Sequence, residues 1–212
     1  MEKKRNRYPG VNFFTKADKG VFCGRTEDSK KFYTQVMLSK TLVLHAESGI
    51  GKSSLIQAGF IPLLEETQKE MLKNDPNMAS YLPITVRLDA LMKSKSNVGV
   101  TIDQNEIVDM LIEKIKSEVP NTSNHQLPYV EDNDQESLWR IAKKAYIERF
   151  KLMLIIDQFE ELQGCAPEVI EDFKIEIAQL LSNQIPESIY ANIKTNSAKI
   201  FESGTINEGI RE

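Results

Sequence analysis

Residues 41–54 read TLVLHAESGIGKSS. An apolar, β-branched run stops at a small residue, passes through two glycines and ends in Lys-Ser. Few folded structures other than a phosphate cradle require that order. The glycines let the backbone curl until successive amide N–H groups point inward at anionic oxygens. Lys52 can then reach the terminal phosphates of a bound nucleotide, and the Ser53 hydroxyl can ligate a magnesium ion. A helix starting here adds the positive end of its dipole. Against the pattern G-x-x-x-x-G-K-[ST], the chain reads Ala46-Glu47-Ser48-Gly49-Ile50-Gly51-Lys52-Ser53. Ala46 stands in the first glycine position, so that position must adopt backbone angles alanine tolerates. Residues 46–54, Ser54 included, form the candidate phosphate-binding set.

A second stretch, LMLIIDQFEE at residues 152–161, complements the first. Five apolar residues carry Asp157 to the carboxyl tip of a strand, where a carboxylate is costly unless it faces a cation or a donor. Beside a phosphate cradle, that cation is magnesium held jointly with the serine hydroxyl. Glu160 and Glu161 follow. Either can orient or deprotonate an attacking water, with Glu160 preferred, and either can equally serve as the acidic first turn of the next helix.

Composition narrows the class. The chain has 212 residues, 41% hydrophobic and 27% charged, which suits one domain of ample core or one domain with an appendage. A net charge of −4 argues against a broad nucleic-acid surface. The basic cluster Lys3-Lys4-Arg5 with Arg7 reads as a solvated tail. Cys23 and Cys165 make neither metal spacing nor a disulfide framework, and His45 and His125 form no ligand cluster. With no apolar run of membrane length and no secretory leader, a cytoplasmic location is expected, with no membrane partner.

The hydrophobic pattern predicts an irregular aromatic lead-in over 8–25, pinned by Tyr8, Phe13, Phe14 and Phe22. A helix capped by Thr26 follows, with Ser29 and Lys30 outward and Phe32, Val36 and Met37 inward. Strand 41–45 leads into the cradle, and the helix after it should kink or break at Pro62. A second strand is read at 82–88, a polar loop at 93–103, and a helix at 104–118 capped by Asp103. A polar connection spans 120–135, and a helix spans 136–150 with Leu138, Ile141, Ala142, Ala145 and Tyr146 on its apolar side. The strand 152–156 precedes helical structure to Leu181. Strands alternating with helices imply a parallel sheet covered on both faces, with strands 41–44 and 152–156 buried on both sides and the ligand at their carboxyl ends.

These segments together resemble a known family. The lead YPGVNFFTKADKGVFCGR, the cradle, SSLIQAGFIPLL and IIDQFEEL occur in the order seen in the STAND class of signal-transducing P-loop ATPases. In particular the chain looks like the bacterial branch with a YPG…FxGR lead and a DQFEEL Walker B motif. The resemblance covers roughly residues 8 to 162 and implies an α/β P-loop NTPase, a three-layer sandwich with a mostly parallel sheet. It implies ATP and magnesium as cofactors, with Lys52 on the β- and γ-phosphates, Ser53 and Asp157 on magnesium, and Glu160 as the water-activating acid. Phe22, Gly24 and Arg25 match the element beside the adenine and ribose pocket. Arg87 falls where relatives often have a basic residue, and no role is assigned to it. Residues 1–40 would then be a lead-in and helix packed on the core, 41–185 the NTPase core, and 186–212 a truncated or poorly ordered C-terminal segment.

Such proteins are switches that engage other protein domains or subunits on activation, many in antiviral defence. The family continues with a sensor arginine and a helical lid. Residues 182–212 do not match that element, so the lid is expected to be absent or incomplete. The alternative is a nucleotide-bound interaction scaffold that does not hydrolyse. A GTPase is disfavoured: Asn196-Ser197-Ala198-Lys199 has no Asn-Lys-x-Asp before it, and no glycine follows Asp157.

Overall fold

In the computed structural model, residues 12–88, 106–119, 127, 136–182, 185–187, 189–191 and 193–195 are described. The expectations for the basic cluster, Tyr8, residues 93–103 with Asp103, most of 120–135, and 196–212 lie outside them. The chain divides into two compact units, residues 1–78 and 79–212.

The first unit is helical around the cradle. A 3-10 turn, Lys16–Val21, opens with the Asp18 carboxylate accepting from the Thr15 N–H (2.9 Å) and the Thr15 hydroxyl (2.7 Å). Helix α1 (Thr26–Leu38) follows, then the cradle, then α2 (Lys52–Ser54), a π-helix (Leu55–Phe60) and α3 (Ile61–Asn74). Phe60 is the pivot of the packing, fully buried with Phe32 edge-on at 5.3 Å and Tyr33 at 6.2 Å. Burying such a ring contributes about 1.5–3 kcal/mol.

Four expectations change here. Thr26 does not cap α1: it is the first helical residue, and Arg25 is the N-cap. Ser29, read as outward, is buried. Its hydroxyl donates to the Arg25 carbonyl at 2.9 Å, which removes the cost of burying it. Pro62 does not break the helix. The backbone stays helical from the π segment into α3, and the wider π turn precedes the residue that lacks an N–H. Residues 41–47 form no strand: they have no regular secondary structure, and Val43 is 83% exposed. A strand needs a ladder partner as well as β-branched residues, and local propensity cannot supply one.

The second unit is mixed α/β. Strands β1 (Ser80–Arg87) and β2 (Phe150–Asp157) pair in parallel, from Ser80 opposite Phe150 to Arg87 opposite Asp157. Among the described residues the sheet has these two strands. Helices α4 (Glu106–Glu118), α5 (Leu138–Ile147) and α6 (Pro167–Leu181) pack with it. Ile84, Val86, Leu111, Ile115, Leu138, Ile141 and Phe173 share one core. Leu152 to Ile156 are half-buried, not covered on both faces as their unbroken apolar run suggested. Tyr146 is exposed, because the last turn of α5 emerges from the core. Ser137 caps α5, accepting from the Arg140 N–H at 3.3 Å. Glu136 joins α4 to α5 through Lys116 (2.6 Å) and Lys144 (3.4 Å). Burial alone would raise the Glu136 carboxyl, but the Lys116 hydrogen bond and the two lysine charges outweigh it and hold the group below its ordinary value.

Candidate phosphate loop and acidic strand tip

The first unit supplies the loop. Gly49 (φ 82°) and Gly51 (φ 91°) both adopt left-handed backbone, which L side chains rarely tolerate. A Cβ at either would meet nothing within 4 Å, so it is the dihedral angle, not crowding, that requires glycine there. Ala46 has no positive φ, so alanine fits the first position of the motif. Gly51 is the N-cap of α2, and its carbonyl accepts from the Leu55 N–H at 2.9 Å. The loop amides therefore run directly into a helix N-terminus.

Lys52 bends back over this loop. Its ammonium donates to the Ala46 carbonyl at 2.7 Å and to the Glu47 carbonyl at 3.1 Å. A cation is thereby held against the carbonyls at the start of the glycine loop. Glu47, Ser48, Gly49 and Ile50 are exposed around the rim, and Ser53 is half-buried at the helix start. Ser54 behaves differently. It is 7% exposed, and its hydroxyl accepts from the Phe14 N–H at 3.0 Å.

That bond ties the lead-in to the loop's helix. The Phe14 ring meets Phe22 at 5.6 Å, and Phe22 Cε1 lies 3.3 Å from where a Cβ on Gly59 would stand. Gly24 (φ 81°) turns the chain into α1, whose N-cap Arg25 pairs with Asp28 at 2.7 Å. Phe22, Gly24 and Arg25 thus sit at one junction.

The second unit supplies the strand tip. Asp157 ends β2 and lies in register with Arg87 at the end of β1. The next residue, Gln158, is left-handed (φ 58°, ψ 47°), a conformation costing a non-glycine residue of order 1–3 kcal/mol. Its contacts include two that hold it there. Its N–H donates to Asp157 Oδ1 at 3.1 Å, and its Oε1 accepts from Arg87 Nη2 at 3.3 Å. This sharp turn starts a 3-10 helix, Phe159–Gly164, with Glu160 and Glu161 exposed in its first turn and Leu162 buried as its anchor. Cys165 closes the turn, and burial pushes its thiol up.

The structure therefore gathers residues 46–54 with the lead-in in one unit, and Arg87, Asp157 and Gln158 with the acidic turn in the other. Sequence reasoning missed Gln158 and left Arg87 without a role. An Arg at one strand tip and a carboxylate at another was the available signal, but only the register of the sheet reveals that they are neighbours.

The family model "Novel STAND NTPase 1" matches residues 8–193. The chain belongs to the STAND NTPases. No curated protein and no solved structure matched it. Membership implies a P-loop fold and makes this STAND NTPase a nucleotide-binding switch module. The loop geometry fits that ligand, with two left-handed glycines, a helix start and a bridging lysine in sequence. Among the described residues of this STAND NTPase, no helix is long and apolar enough to cross a membrane.

Proposed function

We propose that this STAND NTPase binds ATP with magnesium and hydrolyses it as the timing step of a signalling switch. The observation that carries the reading is the Lys52 ammonium, held by two carbonyls across a loop of left-handed glycines at a helix start. In this reading the amides of residues 46–51 cradle the phosphates and Lys52 neutralises the terminal ones. The Ser53 hydroxyl and the Asp157 carboxylate are hard oxygen donors suited to magnesium, which would neutralise charge on the phosphates. Phe22, Gly24 and Arg25 contact the base and ribose. Glu160, exposed at the start of its turn, accepts the proton of the attacking water. Nucleotide state would then govern association with other protein domains or subunits in the cytoplasm, with antiphage defence as the setting the family resemblance suggests.

Calorimetry with ATP, ADP and GTP, with and without chelator, tests this. Lys52→Ala is expected to lose ATP binding while staying folded, since its ammonium bonds within the loop and not into the core. Asp157→Ala is expected to erase the difference between chelated and magnesium-containing samples. Unchanged ATP affinity in Lys52→Ala would overturn the assignment.

A further inference from the structure

We propose that Ser54 is a positioning residue: its hydroxyl sets the distance between the base-contacting lead-in and the phosphate loop. The inference rests on the nucleotide reading above and deepens it. Ser54 lies two residues after Lys52, at the end of the first helical turn, and is buried. Its hydroxyl accepts from the main-chain N–H of Phe14 at 3.0 Å, across forty positions of sequence. A main-chain donor moves with its whole segment, so this bond fixes the lead-in's backbone against the helix that issues from the cradle.

The rest of the lead-in makes one body with that anchor. Thr15 and Asp18 lock the backbone immediately after Phe14 through two side-chain bonds. Phe22 packs on Phe14 with the rings tilted at 55° and rests against Gly59. Two further polar ties run from the lead-in to α3, Lys16 to Glu65 and Lys19 to Glu66, and both are exposed ion pairs, which water and salt weaken. The Ser54 bond is the part-buried polar tie in this set, and it is the one nearest the loop. A triphosphate held at residues 46–53 and a base held at Phe22, Gly24 and Arg25 are then spaced through a hydroxyl that need touch neither.

The test compares magnesium–ATP with magnesium–tripolyphosphate, which has the phosphates and no base. Calorimetry is run on the full chain as wild type, Ser54→Ala and Ser54→Thr. Ser54→Ala is expected to lose about tenfold in ATP affinity while tripolyphosphate affinity stays within about twofold, and Ser54→Thr to restore ATP binding. Hydrogen exchange should show the Phe14 amide losing protection in Ser54→Ala. Should the alanine variant not fold, Ser54→Cys, near in size and a poor acceptor, is expected to give the same split. Equal losses for both ligands would mean that Ser54 touches phosphate directly and would overturn the inference. So would undiminished ATP affinity or unchanged Phe14 exchange. Wild-type protein binding neither ligand would overturn the nucleotide reading itself, and this inference with it.

Discussion

Replacing Gly59 by alanine probes the closest approach in the first unit. Gly59 lies in the π-helix, and its φ is not positive, so alanine could adopt the backbone. The obstacle is space. The new Cβ would stand 2.3 Å from Ser29 Oγ and 3.3 Å from both Ser29 Cβ and Phe22 Cε1. Unstrained carbon contacts lie at about 3.5–4.0 Å, so the Ser29 hydroxyl must retreat by roughly 1 Å. It has little freedom to do so, being buried and bonded to the Arg25 carbonyl at 2.9 Å. Overpacking of this kind costs about 1–3 kcal/mol, against a helix-propensity gain of about 1 kcal/mol for Gly→Ala. The net expectation is a loss of about 1 kcal/mol, or a melting temperature lower by about 2–4 °C for a chain of this size. Circular dichroism melts of wild type, Gly59→Ala, Ser29→Ala and the double variant close a thermodynamic cycle. In the Ser29→Ala background the cost of Gly59→Ala should fall close to zero, because the nearest clashing atom is gone. A Gly59→Ala protein that melts at or above wild type, or that loses equally in both backgrounds, would refute the reasoning.

Two further outcomes are expected. Glu176 accepts from the Leu138 N–H at 2.8 Å. Burial raises its carboxyl, the Leu138 bond opposes that, and the Asp172 charge adds to it, leaving the group above its ordinary value of 4.5. The native state therefore binds this proton more tightly than the unfolded chain does, and stability falls as pH rises through the raised value. Glu176→Gln keeps an acceptor without the charge, so it should melt higher than wild type at neutral pH, with the gain shrinking as pH falls toward 4.5. A gain independent of pH would point to packing instead. For the chemistry, Glu160→Gln should retain ATP binding but release phosphate about a hundredfold more slowly, and an unchanged rate would remove Glu160 from the mechanism.

The features readable in the sequence were those built from neighbours along the chain. The glycines at 49 and 51 predict a tightly curled loop, and both residues adopt the left-handed backbone that glycine makes accessible. The periodic apolar residues of α4 predict one buried face, and Ile107, Leu111 and Ile115 are buried. Five apolar residues before Asp157 predict a strand ending in an acid, and β2 ends there. What the sequence did not show depends on residues far apart. Val43 and its neighbours have strand propensity but no ladder partner among the described residues. Ser29 reads as polar and exposed until Gly59 is placed against it. Gln158 is strained into a left-handed turn by contacts that include an arginine seventy-one positions away.

The glycine loop and the acidic strand tip were therefore determined by the sequence alone, because each is encoded by backbone freedom or side-chain chemistry within about ten consecutive residues, and the family was determined by several such motifs in order along the chain. The pairing of Arg87 with Asp157, the burial of Ser29 and the bond from Phe14 to Ser54 were decided only by the tertiary structure. Hydrogen bonds and packing act over a few ångströms of space, and a one-dimensional chain does not say which distant residues will share that space.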